Sequence, residues 1–305
     1  RHSGRGRVPY PPESAVVYSS GPLSTGIHTM KTHSRSQSHG KAAHSDHPAI
    51  RDVWADNLAE AMIEIEAIVK DYPVIAMDTE FPGIIHTTEG SGYNQFKRNV
   101  NELKVIQIGM CFSNKKCELA PVPTWQFHFA FDVDNEPSAP DSIELLQGSG
   151  IDFKALIARG IDPVDFGSLL TTSGLVFNPS VSWVAFHSIY DFGYMAKVIL
   201  NGSLPNTEAD FNEMVGRVFP HIYDIKYIMT TAYEWKGGLQ KLANEYGINR
   251  VGTMHQAGSD SLVTAEVFFR VVNKLKSRID VVSNKDTFDG HIYGLHVSYQ
   301  DNSFQ

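Results

Sequence analysis

Cysteine is scarce in this 305-residue chain: Cys111 and Cys117 are the two present, and their five-residue spacer fits neither a zinc knuckle nor a disulfide framework. Both are expected to be bystanders in an intracellular, reducing compartment. Long apolar runs are also missing. No stretch approaches the ~18 consecutive apolar residues of a membrane span, and the amino terminus lacks the apolar centre of a signal peptide, so a soluble protein is expected. Nor is there a surplus of positive charge. The net charge is −8, whereas a protein that coats nucleic acid draws on excess Lys and Arg. Residues 1–50 carry six Lys/Arg against Glu13 and Asp46, or +4, which leaves −12 for residues 51–305. A domain this acidic is expected to grip RNA chiefly through cations held at a carboxylate site and through stacking, and a non-specific RNA-coating role is not expected.

Residues 1–49 are rich in Ser, His, Gly, Arg and Pro and show no period of 2 or 3.6, so they read as a disordered tail. Six of the thirteen histidines lie there, but their irregular spacing offers no metal geometry. One enzyme-sized domain is expected over residues 50–296, with a short tail over 297–305.

Within that domain, apolar residues at helical spacing (Val53, Leu58, Met62, Ile65, Ile68) predict a helix over Asp52–Lys70, ended by Asp71-Tyr72-Pro73. Val74–Met77 reads as a strand buried on both faces, and its far end is Asp78-Thr79-Glu80 before Phe81-Pro82-Gly83 breaks the chain. Further strands are expected at Leu103–Phe112, Gln126–Val133, Trp183–His187 and Ile222–Ile225. Two or three helices are expected within Ser142–Thr172, with others from Tyr190, over Gly238–Tyr246 and over Ser259–Lys274. Strands interleaved with helices predict an α/β sheet covered on both faces.

The acidic residues at those strand ends carry the chemistry. Asp78 and Glu80, two apart on a strand, leave from one face, where like charges repel unless a proton or a cation sits between them. Asp191, after the Trp183–Phe186 strand, and Asp260, in His255-Gln256-Ala257-Gly258-Ser259-Asp260, each have an ordinary reading as first-turn acids, with Ser259 as an N-cap. Together and in this order they form a pattern: Asp-x-Glu on a first strand, an Asp after a buried strand, and His-x4-Asp entering the last long helix.

That pattern resembles the DEDD superfamily of 3′→5′ exonucleases, in its histidine-bearing branch. The flanking runs Met77–Gly83, Leu103–Gly109, Phe186-His187-Ser188 with Tyr190–Tyr194, Gly238–Ala243 and His255–Leu262 are similar to the Caf-type (Pop-type) messenger-RNA deadenylases, over about Ile50 to Leu295. No motif residue with a catalytic role is missing. Ile189 stands where the family usually has glycine, a change that could narrow the approach to Asp191.

The resemblance implies a ribonuclease H-like fold, with a central mixed sheet flanked by helices on both faces. It implies hydrolysis of poly(A) RNA from the 3′ end, with release of 5′-AMP, in the cytoplasm and also the nucleus. The partners it implies are a Ccr-Not scaffold subunit and a leucine-rich-repeat deadenylase.

In-line phosphodiester cleavage places charge on attacking and leaving oxygens, which two Mg²⁺ or Mn²⁺ ions about 3.5–4 Å apart can stabilise. The expected ligands are Asp78 as the bridge, Glu80 and Asp260 on one ion, and Asp191 on the other. His255, a residue type that titrates near neutrality, is expected to take the proton of the attacking water. Phe81 and Pro82 stand where they could meet the terminal base, and Lys97, Arg98 and Lys104, read as a loop, could touch phosphates or only face solvent. A general RNA or DNA exonuclease, or a scaffold with a vestigial site, are the competing readings.

Overall fold

The computed structural model describes residues 49–87, 92–276 and 288–295, all within one compact unit, Asp46–Gln305. Most of the two expected tails therefore lies outside the described residues. No helix among the described residues is long and apolar enough to cross a membrane.

Six strands form one mixed sheet. They are β1 (Ile50–Val53), β2 (Val74–Glu80), β3 (Gln107–Ser113), β4 (Leu119–His128), β5 (Ser182–Ala185) and β6 (Ile222–Asp224), in the order β1-β4-β3-β2-β5-β6. The β2–β3 and β3–β4 pairs are antiparallel and the rest are parallel. Helices α1 (Leu58–Ile68), α2 (Gly92–Glu102), α3 (Pro140–Gly148), α4 (Phe153–Arg159) and α5 (Pro163–Thr172) come from the first half of the chain. The second half supplies α6 (Ile189–Leu200), α7 (Glu208–Val218), α8 (Ile225–Tyr233), α9 (Leu239–Glu245) and α10 (Ala257–Lys276).

Alternation along β2 separates two cores. Ile75 and Met77 join the aromatic-rich core that takes in residues of α1, α5, α6 and α7. Val74 and Ala76 face the opposite way, onto residues of α8, α9 and α10. Since side chains of a strand alternate, Asp78 and Glu80 continue the α10 face and Thr79 the α6 face. The expectation of helices on both faces is met.

Several boundaries move. Ile50–Val53 is a strand, so the first helix begins at Leu58 rather than Asp52, because parallel pairing with Thr124–Phe127 captures those residues. The second strand begins at Gln107, the third spans Leu119–His128, and Phe129–Val133 lies beyond its end. Lys97 and Arg98 sit on α2, where Tyr93, Phe96 and Val100 give a buried stripe. That helix is tied to α6 through Lys197, whose Nζ donates to the carbonyls of Val100, Asn101 and Leu103 at 2.9, 3.0 and 2.7 Å.

Candidate functional site

The far end of β2 meets the first turns of α6 and α10, which bring Asp191 and Asp260 beside Asp78 and Glu80. Thr79 Oγ1 donates to Asp191 Oδ1 at 2.7 Å, so the strand residue between the two acids anchors the third acid. Ile189 begins α6 and packs against the core, with Asp191 buried two residues later, so the departure from glycine leaves an ordinary helix start.

Charge crowding is severe. Burial first, then the carboxylates of Asp260, Asp191 and Glu80, push Asp78 well above the ordinary carboxylate range, and Arg250 pulls the other way. Glu80 is raised in the same way by burial, Asp260 and Asp191, again opposed by Arg250. Burial lifts Asp191 to about 7 despite the Thr79 hydrogen bond, with a smaller upward push from Asp224. Four mutually repelling acids on three elements have the chemistry of a cation site, since neutralisation by protons or dications removes the same strain.

Ligand-type atoms of Glu80, His255 and Asp260 all lie within 4.8 Å of one another, a spacing that suits one ion. His255 holds a left-handed backbone (φ 61°), and its N–H donates to Asp260 Oδ2 at 2.9 Å. The turn before α10 thus ties the backbone of His255 to the Asp260 carboxylate. Hard oxygen donors with a single imidazole suit Mg²⁺ or Mn²⁺.

The five residues expected at the site are gathered there. Phe81 is half-buried, its ring stacked on Tyr190 (5.1 Å) and tilted against Tyr194 (5.0 Å), while Pro82 is buried and its carbonyl accepts from Ala139 N–H. Both have packing roles in the turn after β2. Arg98 pairs with Glu102 and Lys104 with Glu136, as surface charges do, and Lys97 reaches Asn206. Ser259 is not an N-cap. It lies inside α10, where its hydroxyl donates to the Val251 carbonyl at 2.7 Å and accepts from Arg250 Nη1 at 2.9 Å.

Two site residues escape sequence reasoning. Arg250 Nη1 lies 2.5 Å from Asp260 Oδ1, and its Nε donates to Gln240 at 2.8 Å, so a cation is built into the acidic pocket. Asp224, fully buried, accepts from the backbone N–H groups of His187 (3.0 Å), Ser188 (2.9 Å), Lys226 (2.8 Å), Tyr227 (3.3 Å) and Tyr293 (3.0 Å), and from the Ser188 hydroxyl (2.8 Å). It fixes the corner that delivers Asp191 and straps residue 293 beside it. Asp224 carries a local mark only for its cap on α8, through Lys226 and Tyr227, while its bonds to His187, Ser188 and Tyr293 come from residues distant in sequence; the partners of Arg250 lie nine or ten residues away, and no short motif joins them.

The chain is similar in sequence and fold to several known proteins. A poly(A) ribonuclease Pop2 of Schizosaccharomyces pombe is 44% identical over 255 residues, covering 81% of this chain and 75% of that protein. A probable CCR4-associated factor 1 homologue of Arabidopsis thaliana is 44% identical over 262 residues, covering 81% and 94%. Among solved structures, S. pombe Pop2p with Mg²⁺ and Mn²⁺ bound superposes with a TM-score of 0.77 at 41% identity, over 81% of this chain and all of that one. Yeast CAF1 co-crystallised with the NOT1 MIF4G domain gives 0.70 at 29% identity, over 80% and 96%. The mixed sheet with its two helical layers is thus the ribonuclease H-like fold that the sequence led one to expect. The family model for CAF1 ribonucleases matches residues 53–164 and 179–268, stretches that hold Asp78, Glu80, Asp191, His255 and Asp260, and the chain belongs to that family.

Proposed function

We propose that this chain is a poly(A)-specific 3′→5′ exoribonuclease that shortens messenger-RNA tails by phosphodiester hydrolysis and releases 5′-AMP. The observation that carries the reading is the convergence of Asp78, Glu80, Asp191 and Asp260 on one pocket whose charge is tolerable only when neutralised. Adenine as the substrate base follows from the 44% identity to a protein named poly(A) ribonuclease.

Asp78, Glu80, Asp191 and Asp260 are assigned as ligands of two divalent cations, Mg²⁺ or Mn²⁺, consistent with the ions in the S. pombe relative. When bound, such ions act as Lewis acids on the attacking and leaving oxygens of the phosphodiester. The protein supplies the rest. With its four carboxylates ionised and Arg250 charged, the pocket stands at −3 alone and would stand at +1 with two dications held by those carboxylates, a balance that would favour an anionic phosphodiester. Thr79 and the Asp224 corner orient Asp191, the backbone N–H of His255 holds Asp260, and the His255 imidazole lies beside Glu80 and Asp260. His255 accepts the proton that the attacking water gives up.

Partners follow by kinship: a Ccr-Not scaffold subunit of the NOT1 kind and a leucine-rich-repeat partner nuclease of the CCR4 kind. Cytoplasmic and nuclear residence is part of the same proposal.

The test is hydrolysis of a 5′-labelled RNA with a 3′ adenine tract, beside mixed-sequence RNA and single-stranded DNA, with Mg²⁺, with Mn²⁺ and with chelator. Stepwise shortening of the adenine tract by wild type, near-complete loss in Asp78→Ala and a ~10²–10⁴-fold loss in His255→Ala are expected. Equal rates on all three substrates would replace the deadenylase with a general exonuclease, and full-length RNA throughout would remove the enzyme reading.

A further inference from the structure

The two carboxylate-bearing positions of β2 continue as polar rows across the sheet. In register, Asp78 faces Gly109, Gly109 faces Gln126, and Gln126 faces Asp52; one step along, Glu80 faces Gln107 and Gln107 faces His128. Partners in register share a face, so all these side chains lie on the α10 side. Burying two glutamines and a histidine there is costly unless each polar atom has a partner.

Their partners are the start of α10. Gln107 Oε1 accepts from Ala257 N–H at 3.1 Å, and Gln126 Oε1 accepts from Gly258 N–H at 2.8 Å. These are among the first N–H groups of a helix, which have no acceptor within it and are usually capped by a local side chain. Here the sheet caps the helix. Gly109 makes the approach possible, since a Cβ on it would fall 1.9 Å from the Ala257 carbonyl oxygen.

The amide orientations are fixed from behind. Asp52 Oδ1 accepts from Gln126 Nε2 (3.0 Å) and stands 2.8 Å from His128 Nε2, which places the imidazole proton on that nitrogen. His128 Nδ1, 3.2 Å from Gln107 Nε2, is then an acceptor. Gln107 Nε2 gives its other proton to Gln256 Oε1 at 3.0 Å, and only Oε1 remains to meet α10. Gln256 in turn donates to the Ser149 carbonyl, and Ser149 Oγ reaches the His255 carbonyl at 2.9 Å.

We infer that Gln107 and Gln126 are positioning residues of the nuclease site: their amide oxygens set the depth and rotation of α10, and through it the place of Asp260 and His255 against Asp78 and Glu80. A one-residue slip at this start would turn Asp260 by roughly 100° and move it by ~1.5 Å. Metal–ligand distances tolerate only about 0.2 Å. The inference rests on the assignment of Asp260 as a cation ligand.

The experiment measures Mn²⁺ binding by the full chain, from the loss of the free-ion electron paramagnetic resonance signal, beside turnover of an oligoadenylate RNA. Gln126→Met, which removes the acceptor at similar length, is expected to weaken Mn²⁺ binding ~10–100-fold and to lower turnover even at saturating Mn²⁺. Gln126→Glu keeps an oxygen for Gly258 but sets a carboxylate against Asp52, and is expected to be impaired as well. The exchange Asp52→Asn with Gln126→Glu restores a donor–acceptor pair and is expected to recover most of the loss. That recovery separates positioning from loss of packing, and it remains readable if Gln126→Met does not fold.

Wild-type Mn²⁺ affinity in Gln126→Met, or an exchange variant no better than Gln126→Glu, would overturn the inference while an impaired Asp260→Asn left the ligand assignment standing. Wild-type affinity in Asp260→Asn itself would overturn that assignment, and the inference with it.

Discussion

Arg250 Nη1 stands 2.5 Å from Asp260 Oδ1, on a carboxylate whose other oxygen accepts the backbone N–H of His255. A side chain from the loop before α10 thus holds the fourth acid of the pocket, and its charge also lowers the proton affinity of Asp78 and Glu80.

Removing that cation should cost most when no other cation is present. Arg250→Met is expected to lose about 3 kcal/mol of stability in chelator, as for a buried pair broken on one side. The loss should shrink when Mn²⁺ is added, because the dications then carry the compensation. Urea unfolding under both conditions is the measurement; equal losses would mean that Arg250 takes no part in the charge balance.

Asp78→Asn should separate activity from stability. The neutral isostere removes a ligand, so turnover is expected to vanish. It also removes one charge from a cluster that burial and three other carboxylates make unfavourable. The metal-free variant should therefore be more stable than wild type, by ~0.5–2 kcal/mol. A lower midpoint than wild type in chelator would contradict the crowding argument.

The pH response of the metal-free protein has a definite sign. Folded Asp191 keeps its proton up to about pH 7, whereas an unfolded aspartate loses it near pH 4. Across that window the folded state binds more protons, so this contribution to stability falls as pH rises. Cations need the charged form, and the gain in melting temperature from Mn²⁺ should widen between about pH 5.5 and about pH 7.5. A gain that is flat or shrinking over this range would remove Asp191 from the ligand set.

Gly109→Ala tests the contact between β3 and the start of α10. The added methyl meets backbone atoms, the Ala257 carbonyl and Gly258 N, which cannot rotate away. A stability loss of about 1–3 kcal/mol is expected, with a fall in turnover because Asp260 moves with the helix. Gly148→Ala, where nothing lies within 4 Å, is the control and should leave turnover unchanged.

The acids were legible because each follows a buried strand or opens a helix, and those signals are local. The Asp78–Glu80 strand was legible for the same reason: four apolar residues precede the pair and Pro82-Gly83 ends it. β1 was not, since Ile50–Val53 becomes a strand only by pairing with residues some seventy positions away. α7 does carry local marks: Thr207 caps it, Glu208 and Asp210 lie in its first turn, and Phe211, Val215 and Val218 form its stripe. A reading centred on strand ends passes over it, as it passes over the stripe of α2. Arg250, Asp224 and the two sheet glutamines are a different case, because the geometry that gives them work exists only after the layers have packed.

The pocket closes late. Among the described residues, Asp260 rides on the last long helix, and every strand of the sheet precedes it in the chain. A ribosome therefore completes Asp78, Glu80 and Asp191 while the fourth acid and the imidazole are still unmade. A growing polypeptide, or one cut short before residue 255, therefore holds three of the four acids and lacks both the fourth and the imidazole, so the cation site is complete only once the chain has passed residue 260.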